Sequence, residues 1–420
     1  MESEYIIVRR SKAMAQLLRA RRDGEQVRGT ESIGVNVQRE IEAVAAATAE
    51  GMAAQEVFTL ARERLDERAA ADALREDEVV TGALAMPVTL IAPLGSAEDS
   101  VADAKAARVS WGVKAIRADV SKYSGVGVKV AVLDTGLDFD HSAFKGRGIE
   151  FESEDFTGTG LPTDDHGHGT HCAGTIFGRD VDGVRIGVAP EVTKACIAKV
   201  LNDKGRGTSS AVADAIGWAI RKEVDVISMS LGFDFPGMAE RLQEKLPPKL
   251  AASQALRAFR DNLRLFDTLM MYSRMRSQRW GGCVIIAAAG NESRTDENPD
   301  FRIDVSLPAA SQDIVSVGAL RKLGQKLGSA SFSNVNPTLA APGVDIVSAA
   351  RGGELVGMSG TSMACPHVAG IAALWWQALR KENQGSAQNV AAKLIARADR
   401  DVFEPGLGPI DHGAGLALAP

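Results

Sequence analysis

Aromatic side chains are scarce in this chain of 420 residues, 5% with three tyrosines, which leaves little surface on which bases could stack. Charge of one sign is lacking too: 48 Lys and Arg face 54 Asp and Glu, a net −6, and no basic tail is present. Neither feature suits a nucleic-acid partner. Cysteine is limited to Cys172, Cys196, Cys283 and Cys365, none spaced as a metal pair or a disulfide scaffold, so all four read as reduced, small apolar residues. No apolar run approaches membrane-spanning length, and Met1-Glu2-Ser3-Glu4-Tyr5 lacks the basic stretch and apolar core of a secretion signal. A cytoplasmic location with no membrane partner is the expectation. What is present is 45% hydrophobic and 24% charged residues, enough to bury one large domain and a smaller one.

Chemistry gathers at the ends of short apolar runs. Val128-Lys129-Val130-Ala131-Val132-Leu133 reads as a buried strand and ends at Asp134-Thr135-Gly136. A second block, Asp164-Asp165-His166-Gly167-His168-Gly169-Thr170-His171-Cys172, holds three of the six histidines within six residues. Its glycines allow close backbone approach. Cys283 to Ala289 reads as a third strand and delivers Gly290-Asn291-Glu292. Last, Gly360-Thr361-Ser362-Met363-Ala364-Cys365-Pro366-His367 opens a helical, apolar stretch, with Thr361 as a cap and Pro366 in the first turn. Ser362 would then lie among the free N–H groups of a helix start, where an oxyanion is stabilised.

Acyl transfer needs a hydroxyl nucleophile, an imidazole, a carboxylate to orient it and an oxyanion donor. Ser362, His168, Asp134 and Asn291 supply these in turn. These four blocks, in the chain order Asp134, His168, Asn291, Ser362, resemble the subtilisin-like serine proteases. The resemblance implies serine endopeptidase activity on polypeptides: Ser362 attacks, His168 is general base and then acid, Asp134 fixes its tautomer, and Asn291 with the Ser362 N–H forms the oxyanion hole. It further implies substrate-pairing segments at Ser230, Leu231 and Gly232, at Gly205 and Gly207, and at Ala289 and Gly290. Trp111-Gly112-Val113 is similar to a mature-enzyme start and His412 to Leu416 to the family's closing turn, so the likeness spans roughly residues 107 to 420. The implied fold is a three-layer α/β/α domain with a mainly parallel sheet, preceded by a smaller α+β, prodomain-like region at 1–106.

That first region holds strand candidates at Tyr5 to Val8 and Val88 to Ile91, and an Ala, Glu and Arg-rich helical stretch over 36–77. A propeptide in this place implies an intramolecular inhibitory segment and a latent zymogen; a regulatory module and a plain extension are the alternatives. An insertion over about 234–280 carries Leu256, Phe259, Leu263, Phe266 and Met270 at helical spacing. Lys249, Arg257, Arg260, Arg264, Arg274, Arg276 and Arg279 form its outer face, which would dock the N-terminal helix or a partner. Asp164, Asp165, Glu292, Asp296, Glu297, Asp300 and Asp304 could form an acidic rim favouring basic substrates, above a pocket floor near Ser306. Cys172 lies beneath the imidazole if the proteinase K branch is the guide. No cofactor is required. Relatives hold a stabilising calcium ion with an aspartate where Ala143 stands here, and Asp180 and Asp182 are the only substitutes nearby, so a tight site is not expected. Two other classes fit parts of the sequence: a catalytically idle or regulatory binding protein on the same fold, and a metallohydrolase with His166, His168 and His171 on zinc.

Overall fold

The computed structural model describes residues 2–12, 58–95, 98–276 and 280–420. Its first part contains β1 (Ser3–Arg10), β2 (Phe58–Leu65), α1 (Glu67–Ala73), β3 (Val79–Leu84) and β4 (Pro87–Leu90). The first three strands form an antiparallel sheet in the order β2-β1-β3. Asp66 starts α1 by accepting the N–H groups of Arg68 and Ala69 at 3.0 and 2.8 Å. The helix expected through 36–77 fails at β2. Its Ala, Arg, Glu and Leu residues favour a helix in isolation, but pairing with β1 and the half-burial of Phe58 and Leu60 override that propensity. Past β2 the same stretch is helical as expected, in α1, and its first part, 36–57, falls within residues 13–57, which lie outside the described residues.

After α2 (Glu98–Ala107) and α3 (Trp111–Ala115), the chain forms β5 (Lys129–Asp134), β6 (Glu150–Asp155), α4 (His168–Phe177), β7 (Lys194–Lys199), β8 (Arg206–Thr208), α5 (Ser209–Arg221), β9 (Val226–Met229) and β10 (Leu231–Phe233). Next come α6 (Phe235–Gln243), α7 (Pro248–Arg276), β11 (Val284–Ala288), β12 (Ile314–Leu323), β13 (Lys326–Ser329), β14 (Leu339–Pro342), β15 (Ile346–Ala349) and β16 (Leu355–Met358). The chain closes with α8 (Thr361–Lys381), α9 (Ala387–Ala396) and α10 (Pro409–His412). Residue 106, where the smaller region was expected to end, falls near the end of α2, a helix that already packs on β15 and β16.

Eight strands make one sheet in the order β13-β12-β11-β9-β5-β7-β6, with β14 also on β12; every pair is parallel except β12 with β13. Strand β5 shows why the sheet is covered on both sides. Val130 and Val132 join Ile176 of α4 and Ile371 of α8 in one apolar layer, while Ala131 and Leu133 join Ile216 of α5 and Phe266 of α7 in the other. The result is the three-layer α/β/α arrangement. Because β5 lies between β9 and β7, its carboxyl end opens onto a crevice, the usual place for a site in such sheets.

The segment expected as a helical insertion folds as α6 and α7. Its apolar face differs from the expected stripe. Leu256 is exposed, Phe259 and Leu263 are half-buried against the core, and the buried positions are Ala251, Ala255, Ala258, Asn262, Leu265, Phe266, Leu269, Met270, Met271 and Ser273. What α7 holds is the N-terminal sheet: Asn262 Nδ2 donates to Leu84 O at 2.8 Å, Tyr272 meets Phe58 edge to face at 6.0 Å between ring centres, and Arg257 lies 3.8 Å from Glu67. On the α5 side Arg62 pairs with Asp214, and Ser210 donates to Glu4.

Candidate active site

Asp134 ends β5 and His168 begins α4, and two glycines bring these points together. A Cβ on Gly169 would collide with Gly136 O, and one on Gly136, at φ +112°, with Pro162 O. With neither Cβ present, the helix start seats directly on the turn after Asp134. His168 Nδ1 is 2.8 Å from Asp134 Oδ1, with both side chains buried, and the same oxygen accepts the Thr135 N–H at 2.7 Å. Beneath them lies a carboxylate that was expected at the acidic rim. Asp164 accepts from Thr135 Oγ1, from the N–H groups of His166, Gly167 and Thr170, and from Thr170 Oγ1, at 2.7–3.1 Å. Burial pushes its pKa up, but the hydrogen bonds, led by that of Thr170, prevail and hold it below the usual carboxylate value. Thr135 Oγ1 in turn accepts the Gly169 N–H at 2.9 Å, which ties the start of α4 to the turn.

Ser362 is the second residue of α8, a helix buried along Thr361 to Leu379. Two local expectations are corrected here. Gly360, not Thr361, precedes the helix, and Pro366 stands in its second turn. A proline there has no N–H for the carbonyl four residues back, so Ser362 O is free for other donors. Ser230 Oγ at 3.0 Å and Cys172 Sγ at 3.4 Å supply them. Thr361 gives its N–H and its hydroxyl to Asn291 Oδ1, and Thr361 Oγ1 accepts the Gly290 N–H at 3.2 Å. Asn291, just past β11, therefore stands beside the helix start with its Nδ2 group directed outward.

Both groups point at the same piece of chain. Strand β4 lies between β10 and β8, antiparallel to each, with Thr89 opposite Gly232, Leu90 opposite Leu231 and Val88 opposite Gly207. The Leu90 N–H donates to Gly205 O at 2.8 Å. Just beyond, Ser362 Oγ donates to Ile91 O at 2.9 Å and Asn291 Nδ2 to Ala92 O at 3.0 Å. His168 Nε2 is buried without a hydrogen-bond partner among the described residues. A Cβ on Gly232 would lie 3.3 Å from Ser306 Oγ and 3.4 Å from Ile91 Cγ1, so the Ile91 side chain, Gly232 and Ser306 share one pocket. Ala289 frames that pocket through its carbonyl, which accepts the Ser306 N–H at 3.0 Å. The structure thus brings together Asp134, His168, Ser362, Asn291, Ser230, Leu231, Gly232, Gly205, Gly207, Ala289 and Gly290.

A scan against family models matches residues 125–411 to the Subtilase family of peptidases. The chain is a subtilase. Among its relatives are an intracellular serine protease of Paenibacillus polymyxa, 37% identical over 73% of this chain and 83% of that one, and subtilisin DY of Bacillus licheniformis, 34% identical over 72% and 97%. The major intracellular serine protease of Bacillus subtilis is 32% identical over 68% of this chain and 81% of its own. This subtilase is accordingly a serine-type endopeptidase, a hydrolase of polypeptides.

Several expectations need correction. The acidic rim is in part used internally, though Asp296, Glu297, Asp300 and Asp304 are exposed: Asp164 is buried in its hydrogen bonds, Asp165 pairs with Arg351 at 2.7 Å, and Glu292 accepts from Asn334 at 2.6 Å. The three histidines do not converge either. His171 faces the carbonyls of Ile346 and Val356, and burial, reinforced by His168, depresses its pKa to about 3. Among the described residues the one group with metal-ligand proximity is Asp134, His168 and Cys172. Cys172 Sγ does sit 3.8 Å from His168 Nδ1, and burial raises its thiol pKa well above the ordinary value. For calcium the surroundings fit poorly. Ala143 is buried and offers no side-chain ligand, and Asp182 lies 3.5 Å from Lys105. Arg179 donates to the carbonyls of Phe177, Arg147 and Val192, and Arg185 to those of Gly187, Ala118 and Val188.

Proposed function

We propose that this subtilase cleaves peptide bonds through an acyl-enzyme on Ser362 and that it is made latent. The observation that carries this reading is the convergence of Ser362 Oγ and Asn291 Nδ2 on consecutive carbonyls of a strand lying in antiparallel pairing between β10 and β8. In a substrate, a carbonyl carbon near the place of Ile91 would be attacked by Ser362 while His168 Nε2 takes the hydroxyl proton. Asp134 keeps the proton on Nδ1 and offsets the charge of the imidazolium. The developing oxyanion would receive hydrogen bonds from Asn291 Nδ2 and the Ser362 N–H at the start of α8. His168 then protonates the leaving amine, and water repeats the sequence to release the acid. Main-chain pairing on Gly205, Gly207, Leu231 and Gly232 reads any extended peptide, with pockets for alternate side chains.

Latency follows from what β4 does to these groups. The Ser362 hydrogen is held by Ile91 O, so the hydroxyl is not engaged by His168. The oxyanion donor of Asn291 is held by the next carbonyl, that of Ala92. Nucleophile and oxyanion donor thus address different peptide units, and the segment fills the groove without presenting one carbonyl to both. The Leu94 N–H donates to Ser359 O at 2.7 Å and holds the exit of the segment in place. No calcium ion is needed for this chemistry. The cytoplasm, where the relatives named intracellular act, is the location that fits.

A serine-directed fluorophosphonate tests both parts. Full-length protein should label slowly, and Val88→Asp with Ile91→Asp, which places carboxylates in apolar pockets, should label at least about tenfold faster. Ser362→Ala should abolish labelling in either background, and a chelator should leave it unchanged. Absence of labelling in the strand-expelled variant would overturn the catalytic assignment. Equal rates with and without the two aspartates would overturn latency.

A further inference from the structure

Lys199 is, among the described residues, the one lysine that is buried, and it closes β7 in the run Cys196-Ile197-Ala198-Lys199-Val200-Leu201, all of it buried. An ammonium group has three N–H bonds and no acceptor, and burial is tolerable only when all three are used. Here they are: Nζ donates to Thr135 O at 2.8 Å, to Thr163 O at 3.0 Å and to Asp203 Oδ1 at 2.8 Å. The three acceptors lie on three different working parts. Thr135 follows Asp134. Thr163 precedes Asp164, the carboxylate that organises the start of α4. Asp203 belongs to the loop between β7 and β8, whose Gly205 O receives the N–H of Leu90 in the groove. The residues after Lys199 reinforce the first link, because the N–H groups of Val200 and Leu201 both donate to Asp134 O, at 2.9 and 3.2 Å.

We propose that Lys199 is a positioning residue that holds the Asp134–His168 pair and the substrate-pairing strand β8 in one register. The proposal rests on the reading of the site as proteolytic. An apolar side chain in this place would pack as well with its neighbours, yet it would leave Thr135 O and Thr163 O without this donor and free the loop of Asp203. The ammonium therefore serves geometry more than stability. Two substitutions separate its arms. Asp203→Ala releases only the β8 loop, whereas Lys199→Met keeps an unbranched side chain one atom shorter and releases all three contacts.

Amide hydrogen exchange on the full-length protein gives a readout independent of catalysis. Asp203→Ala should raise exchange several-fold in β4 and β8 and leave residues 134–137 and 164–170 unchanged; Lys199→Met should raise it in all of these. Kinetics follow in full-length protein carrying Val88→Asp and Ile91→Asp. There Asp203→Ala should raise KM about fivefold for a peptide with four residues before the cut, with kcat unchanged and a single-residue ester unaffected. Lys199→Met should also lower kcat about 100-fold on both substrates, the scale of loss expected when a reacting pair is misplaced. Lys199→Arg, which retains donors for the carbonyls, should recover part of that loss. Uniformly faster exchange across the sheet, or normal kcat and KM per titrated active site in Lys199→Met, would show a merely structural lysine and overturn the proposal. If the strand-expelled parent hydrolyses neither substrate, the proteolytic reading falls, and the exchange pattern still decides whether Lys199 joins the two segments.

Discussion

Thr361 gives both its N–H and its hydroxyl to the amide oxygen of Asn291, each at 2.9 Å. Because that oxygen is held twice, the Nδ2 group is fixed toward the groove without depending on a substrate. Thr361→Val keeps the shape and the N–H but loses the hydroxyl. Its kcat should fall about tenfold with KM nearly unchanged, against roughly 100- to 1000-fold for Asn291→Ala, as is known for the corresponding loss in subtilisin. The two changes together should cost no more than Asn291→Ala alone. Additive losses, measured on strand-expelled protein, would mean that Thr361 acts elsewhere.

On the proposed latency, docking of the N-terminal sheet sets how often the groove is free. Asn262→Leu removes the hydrogen bond to Leu84 O, worth about 1 kcal/mol net, so the open fraction should rise roughly fivefold. Fluorophosphonate labelling of full-length protein should accelerate by that factor. An unchanged rate would show that α7 does not contribute to latency.

Acid should destabilise the fold through two buried histidines. His171 and His367 are buried, and burial is the first cause that lowers their pKa values, to about 3 and about 4. Both are neutral in the folded state, whereas in the unfolded chain they take up protons below about 6.5. Their contribution is therefore intact above pH 6.5 and declines as pH falls toward 4 and then 3, by about 1.4 kcal/mol per pH unit for each group. Urea midpoints should fall steadily from pH 6.5 to 4.5, and His367→Gln should flatten the slope. The Asp164 carboxylate, held low by its donors, adds loss only at more acid pH.

The loop at 178–187 should be insensitive to metal. Chelator and millimolar calcium should leave Tm unchanged, while Arg185→Met, which strips donors from Gly187, Ala118 and Val188, should lower it by several degrees. A chelator-induced drop in the unsubstituted protein would contradict this.

Much of this was legible in sequence. Asp134, His168, Asn291 and Ser362 were readable because each chemical group follows a buried strand or opens a buried helix, and such junctions combine apolar runs with glycines that only a close backbone approach requires. The parallel sheet followed from the same runs. Local signals failed where partners distant in sequence decide. Phe58 to Leu65 has helix-forming residues and is a strand because β1 lies beside it. Asp164 looked like a solvated rim charge and is buried under five donors. Lys199 was legible only as the start of the segment over 199–207 that resembles a substrate strand, since the three acceptors around its ammonium come from Thr135, Thr163 and Asp203.

The sequence by itself determined the chemistry: a nucleophile, a base, an orienting carboxylate and an oxyanion donor are residue types at fixed local positions. Only the tertiary structure decided what lies across those groups. The pairing of β4 with β8 and β10, and the two hydrogen bonds on Ile91 and Ala92, join segments from about 120 to about 270 residues apart. Hydrogen bonds of that span depend on how the N-terminal sheet seats on α5 and α7, and no local pattern encodes it.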